Sequence, residues 1–218
     1  MSNRIWDEKE HFIQEHYVCE TDIHRKIRER AKEKHCEHMM IAPSEARVLQ
    51  SLVEVHGSHK VIEIGTLFGY SAIYLASGLP SDGKVWTLEK NPENAEIAQG
   101  FIKEAGLSEK IEVVVGDAHE NLKSLEKFGP FDAAFIDADK PGYPAYLKWC
   151  EKNLRKNALI IADNTFLGGD VWAKASDGES KNRVTAMLEF HKNFSDKKRF
   201  RSTIYPSFDG YAVGIKLN

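Results

Sequence analysis

Five short apolar runs, each followed by a stretch of helical character, recur between residues 60 and 194, and this alternation limits the possible folds more than any other feature. The runs are VIEI (61–64), KVWTLE (84–89), IEVVV (111–115), FDAAFI (131–136) and ALIIA (158–162). They are apolar along most of their length instead of at alternate positions. A strand of that kind is buried on both faces, which calls for a parallel sheet with helices above and below. Helices are expected at 70–76, 92–105, through Leu122 and Leu125, at 143–154 and at 182–194. The pattern then breaks. RFRSTIYP (199–206) and GYAVGIKL (210–217) are joined only through Ser207, Phe208, Asp209 and Gly210. So short a link permits an antiparallel hairpin and forbids a parallel crossover. The expected architecture is α/β: a seven-stranded mixed sheet of five parallel strands plus a C-terminal antiparallel hairpin, with helices on both faces.

Residues 1–57 read as a helical N-terminal extension to a core at 58–218, within one domain. A first helix over 4–18 carries Ile5, Phe12 and Ile13, and a second over 21–38 is thick with Lys, Arg and Glu. A third opens at Pro43-Ser-Glu-Ala46, shows an apolar stripe of Val48, Leu49, Leu52, Val53 and Val55, and stops at Gly57. With 218 residues, 42% hydrophobic and 29% charged, the chain can bury a substantial single core. No apolar run is long enough to span a membrane, and MSNRIWDEKEHF lacks the apolar segment of a secretory signal, so the cytoplasm is the expected compartment. Cys19, Cys36 and Cys150 form no disulfide framework, and with His35-Cys-Glu-His38 they match no zinc spacing. The net charge of −3 does not suit a dedicated nucleic-acid binder.

In an open α/β sheet, ligands sit beyond the carboxyl ends of the strands. The loop after the first strand reads Glu63-Ile-Gly65-Thr-Leu-Phe-Gly69-Tyr-Ser71. Its two glycines allow a sharp turn and a close ligand approach. Leu67 stands where a dinucleotide fingerprint needs its second glycine, so a ligand without phosphates fits better. Glu89 ends the second strand, placed to accept both hydroxyls of a ribose, and Gly116-Asp-Ala118 after the third strand can frame an adenine edge. Together these features point to a nucleoside site.

The fourth strand runs straight into Asp137-Ala-Asp139-Lys140, and the fifth into Asp163-Asn164. If the two strands are neighbours, Asp137 and Asp163 face each other, and two bare carboxylates repel unless a positive charge intervenes. With the amide oxygen of Asn164 they make a hard, all-oxygen set suited to Mg²⁺, Mn²⁺ or Ca²⁺. The same D-x-D-K also suits a plain helix-capping loop.

VIEIGTLFGYS, FIDADKPGY and IADNTFLGG, in this order and spacing, together with the terminal D-G-x-x-V-G, closely resemble the cation-dependent O-methyltransferases, the family of the caffeoyl-CoA, catechol and bacterial small-molecule enzymes. The resemblance runs from about Met40 to the C-terminus. It implies a Rossmann-like class I methyltransferase fold, S-adenosyl-L-methionine (SAM) as cofactor and, as usual in the family, a homodimer. Carried over by position, Ile41, Glu63, Gly65, Thr66, Ser71, Glu89, Ala118 and Asp137 contact the cofactor. Asp137, Asp163 and Asn164 match the metal ligands, Lys140 the general base, and Asp139 an acid on the substrate side. Gly168-Gly169 stand where plant members have a substrate-touching asparagine, a departure from the caffeoyl-CoA pattern.

The expected reaction is methyl transfer to a phenolic small molecule with two adjacent hydroxyls, a divalent cation (Mg²⁺, with Mn²⁺ or Ca²⁺ as alternatives) lowering the phenol pKa. The main alternative is methylation of hydroxylated uridine in tRNA, with Arg25, Lys26, Arg28, Arg30, Lys32 and Lys34 as phosphate contacts. A nicotinamide dehydrogenase and a non-catalytic SAM-binding protein are the remaining alternatives.

Overall fold

The computed structural model describes residues 8–18, 20–173 and 179–218. Three helices come first: α1 (Glu8–Tyr17), α2 (Asp22–Glu33) and α3 (Pro43–His56). The alternating part follows as β1 (Lys60–Ile64), α4 (Tyr70–Gly78), β2 (Lys84–Glu89), α5 (Pro92–Glu104), β3 (Ile111–Val115) and α6 (Ala118–Leu125). It continues through β4 (Phe131–Ile136), α7 (Tyr143–Asn153), β5 (Leu154–Ala162) and α8 (Glu179–Phe194) to the closing pair β6 (Phe200–Tyr205) and β7 (Tyr211–Lys216). The sheet order is β3-β2-β1-β4-β5-β7-β6. The first five strands are parallel, while β7 runs antiparallel between β5 and β6. The fold class read from the alternation is therefore the one observed.

Because successive side chains of a strand point to opposite faces, each run of apolar residues feeds two cores. Val61, Ala133 and Phe135 join α2, α3 and α4 through Ile27, Leu49 and Leu75 on one face. Ile62, Ile64, Ala134 and Ile136 join α7 and α8 through Leu147 and Phe190 on the other. Each fully buried Ile, Leu or Phe stabilises the fold by ~1.5–3 kcal/mol.

Three expectations need correction. The second helix stops at Glu33, because His35 takes a left-handed φ of 56° and the chain resumes only as a short 3-10 turn at Glu37–Met39. Val55 is 90% exposed: two residues beyond Val53 on a helix, it faces away from the stripe. The fifth strand starts at Leu154, ahead of ALIIA, with its pairing interrupted between Phe131 and Ala133 and a positive φ at Asn157. Ile5 and Cys19 lie outside the described residues. Among those described, no helix is long and apolar enough to cross a membrane.

α2 is seated by one buried imidazole. His24 lies 4.1 Å from the Tyr74 ring and edge-on to Tyr70 at 5.4 Å. Its Nδ1 accepts from the Thr21 amide at 3.3 Å and sits 2.8 Å from the Thr21 hydroxyl. Tyr70 donates to Glu20 at 2.7 Å, and Arg28 pairs with the same carboxylate at 2.9 Å. Burial pulls the His24 pKa down to about 4, against the opposing pull of Glu20. The unfolded chain binds a proton below about pH 6.5 that the folded chain refuses until about pH 4, so stability falls as pH drops across that window. His24→Phe keeps the aromatic seat without the titration. Melting curves should show the wild type losing ground to this variant between pH 6.5 and 4, by ~1 kcal/mol or more.

Candidate active site

A cleft of about 730 Å³ opens beyond the carboxyl ends of β1 to β4. It exists there because all parallel strands end on one side and their loops must turn outward to the helices. Ile41, Gly65, Thr66, Ser71, Glu89 and Ala118 line it on one side. Asp137, Asp139, Lys140 and Asn164 line it on the other. Glu63 and Asp163 do not line the cleft; both are fully buried.

The β1 loop is pinned at Gly65, whose φ is +106°. A Cβ there would lie 2.0 Å from the Asp137 carbonyl oxygen, so only glycine lets β1 and β4 end so close together. Glu89 takes one amide on each oxygen, Leu67 N at 2.8 Å and Asn91 N at 2.8 Å. Each oxygen keeps a lone pair free for a hydroxyl donor. Asp117 caps α6 by accepting from His119 N at 2.9 Å, which holds Ala118 against the cleft. The Thr66 hydroxyl is engaged by Thr87 at 2.5 Å.

β4 and β5 finish in register. Ile136 pairs with Ala162, and the Asp163 amide continues the ladder to the Ile136 carbonyl at 3.0 Å. Asp137 and Asp163 are therefore adjacent across the sheet. Asn164 follows in the left-handed region at φ 53°, a conformation asparagine tolerates, and its amide donates to Asp163 Oδ1 at 2.7 Å. Lys140 Nζ donates to Asp137 Oδ1 at 3.4 Å, to Asn164 Oδ1 at 3.2 Å and to Tyr143 Oη at 2.5 Å. Two of the three candidate ligand oxygens thus already address one positive group. The donor set is hard and fits a divalent cation by its chemistry. Among the described residues, no group of three or more His, Cys, Asp or Glu side chains is arranged to hold a metal. The candidate set has two carboxylates and an amide.

Asp139 is bound up with its own loop. Its Oδ1 accepts from the Tyr146 hydroxyl at 2.6 Å and its Oδ2 from Gly142 N at 3.1 Å, the capping geometry that D-x-D-K also allowed. Tyr146 in turn stacks on His119, 5.0 Å between ring centroids, and so spans the cleft floor between the α6 end and the Asp139 side. Neither Tyr143, Tyr146 nor His119 stood out in the sequence. The only signal was two tyrosines in the helix that starts straight after Lys140. Gly168 N donates to Asp209 Oδ1 at 2.6 Å, tying the loop after β5 to the turn between β6 and β7. On the N-terminal helices, five of the six cations face carboxylates: Arg25 with Asp22, Lys26 with Glu104, Arg28 with Glu20, Arg30 with Glu33 and Lys34 with Glu93.

Burial raises the Tyr143 pKa well above 10, with Asp137 and Asp163 adding to the effect, so this phenol stays neutral. Burial also pushes the Glu63 carboxyl up to about 8. The Ser71 and Thr87 hydroxyls pull it back, and Asp137 and Glu89 push it further. Those hydroxyls approach Glu63 without completing a hydrogen bond of regular geometry to either oxygen. The unfolded chain loses this proton near pH 4.5 and the folded one near 8, so Glu63 costs stability as pH rises between them. Glu63→Gln should therefore gain on the wild type from pH 5 to 8, by up to about 1.4 kcal/mol per pH unit in chemical denaturation.

An O-methyltransferase family profile matches residues 14–217. Catechol O-methyltransferase of Niastella koreensis is 36% identical over 220 residues, 99% of each chain. Catechol O-methyltransferase of Mycobacterium tuberculosis is 35% identical over 177 residues, 80% of each. The O-methyltransferase of Bacillus cereus, solved in complex with SAH, superposes with a TM-score of 0.89 at 31% identity, covering 97% of this chain and 98% of its own. Matched along nearly its whole length, the chain belongs to the O-methyltransferase family, enzymes that carry a methyl group from SAM to a hydroxyl oxygen.

Proposed function

We propose that the protein methylates one hydroxyl of a catechol-like small molecule, with SAM as donor and a divalent cation held by Asp137, Asp163 and Asn164. The observation that carries this reading is the meeting of the β4 and β5 ends. It sets Asp137 and Asn164 beside Lys140 at the wall of the same cleft that holds Glu89, with the buried Asp163 next to Asp137 across the sheet. Two relatives named catechol O-methyltransferase, and a solved relative holding SAH, support it.

The chain's own residues divide the work. Glu89 accepts the ribose hydroxyls with the lone pairs its two amide partners leave free. Gly65 lets the β1 loop approach the methionine end closely, and Ala118 borders the adenine. Asp137, Asp163 and Asn164 would hold the cation, whose charge would orient two adjacent hydroxyls and lower the pKa of a phenol ordinarily near 10. Lys140 Nζ, beside Asp137 and Asn164, is placed to receive the phenolic proton. Methyl transfer is an in-line displacement, so the cleft walls must hold the acceptor oxygen about 3 Å from the methyl carbon. A small acceptor is favoured over tRNA because most cations of the N-terminal helices already face carboxylates.

Calorimetry should show SAM binding that Glu89→Ala weakens at least tenfold. Transfer to a 3,4-dihydroxyphenyl compound should fall at least tenfold in EDTA and in Asn164→Ala, and Mg²⁺ should restore the EDTA-treated enzyme. Full-rate transfer in EDTA sinks the cation, while absence of SAM binding sinks the whole reading.

A further inference from the structure

We infer that Tyr143 is a positioning residue for this reaction, its buried hydroxyl fixing the Lys140 amine beside Asp137 and Asn164. This rests on the methyl-transfer reading above and goes beyond the residues that reading uses. Four observations carry it. Tyr143 is fully buried, yet its Oη lies 2.5 Å from Lys140 Nζ and is the shortest of that amine's contacts. The Lys140 ammonium also lies 4.5 Å from the Tyr143 ring centroid, so ring and hydroxyl hold it together. The same hydroxyl lies 2.9 Å from the Asp163 carbonyl and 3.2 Å from the Ile136 carbonyl. It therefore reaches the main chain of both strand ends that carry the candidate ligands.

A phenol hydroxyl has one proton and can accept as well. Accepting from Lys140 and donating to the Asp163 carbonyl uses both capacities in one chain: amine, phenol, β5 main chain. Lysine has a long, flexible stem and no geometric preference of its own. Left to its contacts with Asp137 at 3.4 Å and Asn164 at 3.2 Å, the amine would be loosely held. Tyr143 converts that loose cluster into a fixed position, because its own ring is locked between β4, β5 and Phe190, 5.6 Å away edge-on.

Tyr143→Phe keeps the ring and removes only the hydroxyl. The test is a double-mutant cycle on turnover with Lys140→Ala, together with the ¹⁵N–¹H signal of the Lys140 ammonium. Tyr143→Phe alone is expected to lower kcat about tenfold, with the acceptor KM and SAM affinity changed less than twofold. In the Lys140→Ala background it should cost nothing further. The Lys140 ammonium signal, identified by its loss in Lys140→Ala, should shift or broaden away in Tyr143→Phe. Equal losses in both backgrounds, or an unchanged ammonium signal, overturn the proposal. If the wild type methylates no acceptor at all, the functional reading fails, and the ammonium signal still decides whether Tyr143 holds Lys140.

Discussion

The register between β4 and β5 is the constraint from which the site follows. Ile136 opposite Ala162, with the Asp163 amide bonded to the Ile136 carbonyl, leaves the two strands no freedom to slip. A slip of one residue would send each β5 side chain into the opposite core, Ile160 into the layer packed by Leu159 and Ile161, so the packing of both layers would be lost. Both cores therefore enforce the meeting of Asp137 and Asp163. The acidic pair is not an addition to the fold but the point at which the apolar ladder runs out.

Charge at such a point has to be balanced, and the structure does so in layers. Asp163 is buried and takes the Asn164 amide. Asp137 faces Lys140, which Tyr143 holds from behind. Glu63, fully buried and with no hydrogen bond of regular geometry, is better tolerated as a neutral acid, which is why its pKa rises instead of falling. Three acids near the carboxyl ends of three adjacent central strands thus have three different solutions: a backbone partner, a cation and a retained proton.

The cleft also depends on segments far apart in the chain. Glu45, at the start of α3, accepts from the Ala42 amide at 2.9 Å and from the Ser207 hydroxyl at 2.9 Å. One buried carboxylate therefore joins the stretch around Ile41 to the turn between β6 and β7. On the opposite side His24, Tyr70 and Tyr74 hold α2 against α4, and Tyr70 itself lines the cleft. The N-terminal helices are in this way part of the site's frame.

Sequence alone determined the alternation, the sheet class and the hairpin. KVWTLE and FDAAFI coincide with their strands residue for residue, because a strand buried on both faces leaves a largely apolar signature, and the half-buried edge strand IEVVV coincides as well. It also placed Asp137, Lys140, Asp163 and Asn164 at strand ends, since the order of strand and helix dictates which end faces the ligand side. It could not see where Lys34 and His35 break the second helix, for a left-handed residue other than glycine carries no strong mark in composition. Nor could it separate Asp139, bound by Tyr146 and Gly142, from a free acid. That difference, like the buried Glu63 and the Tyr143 hydroxyl under Lys140, rests on which side chains a third element brings within 3 Å. Local pattern encodes direction and burial; only the closed sheet with its helices in place decides who meets whom.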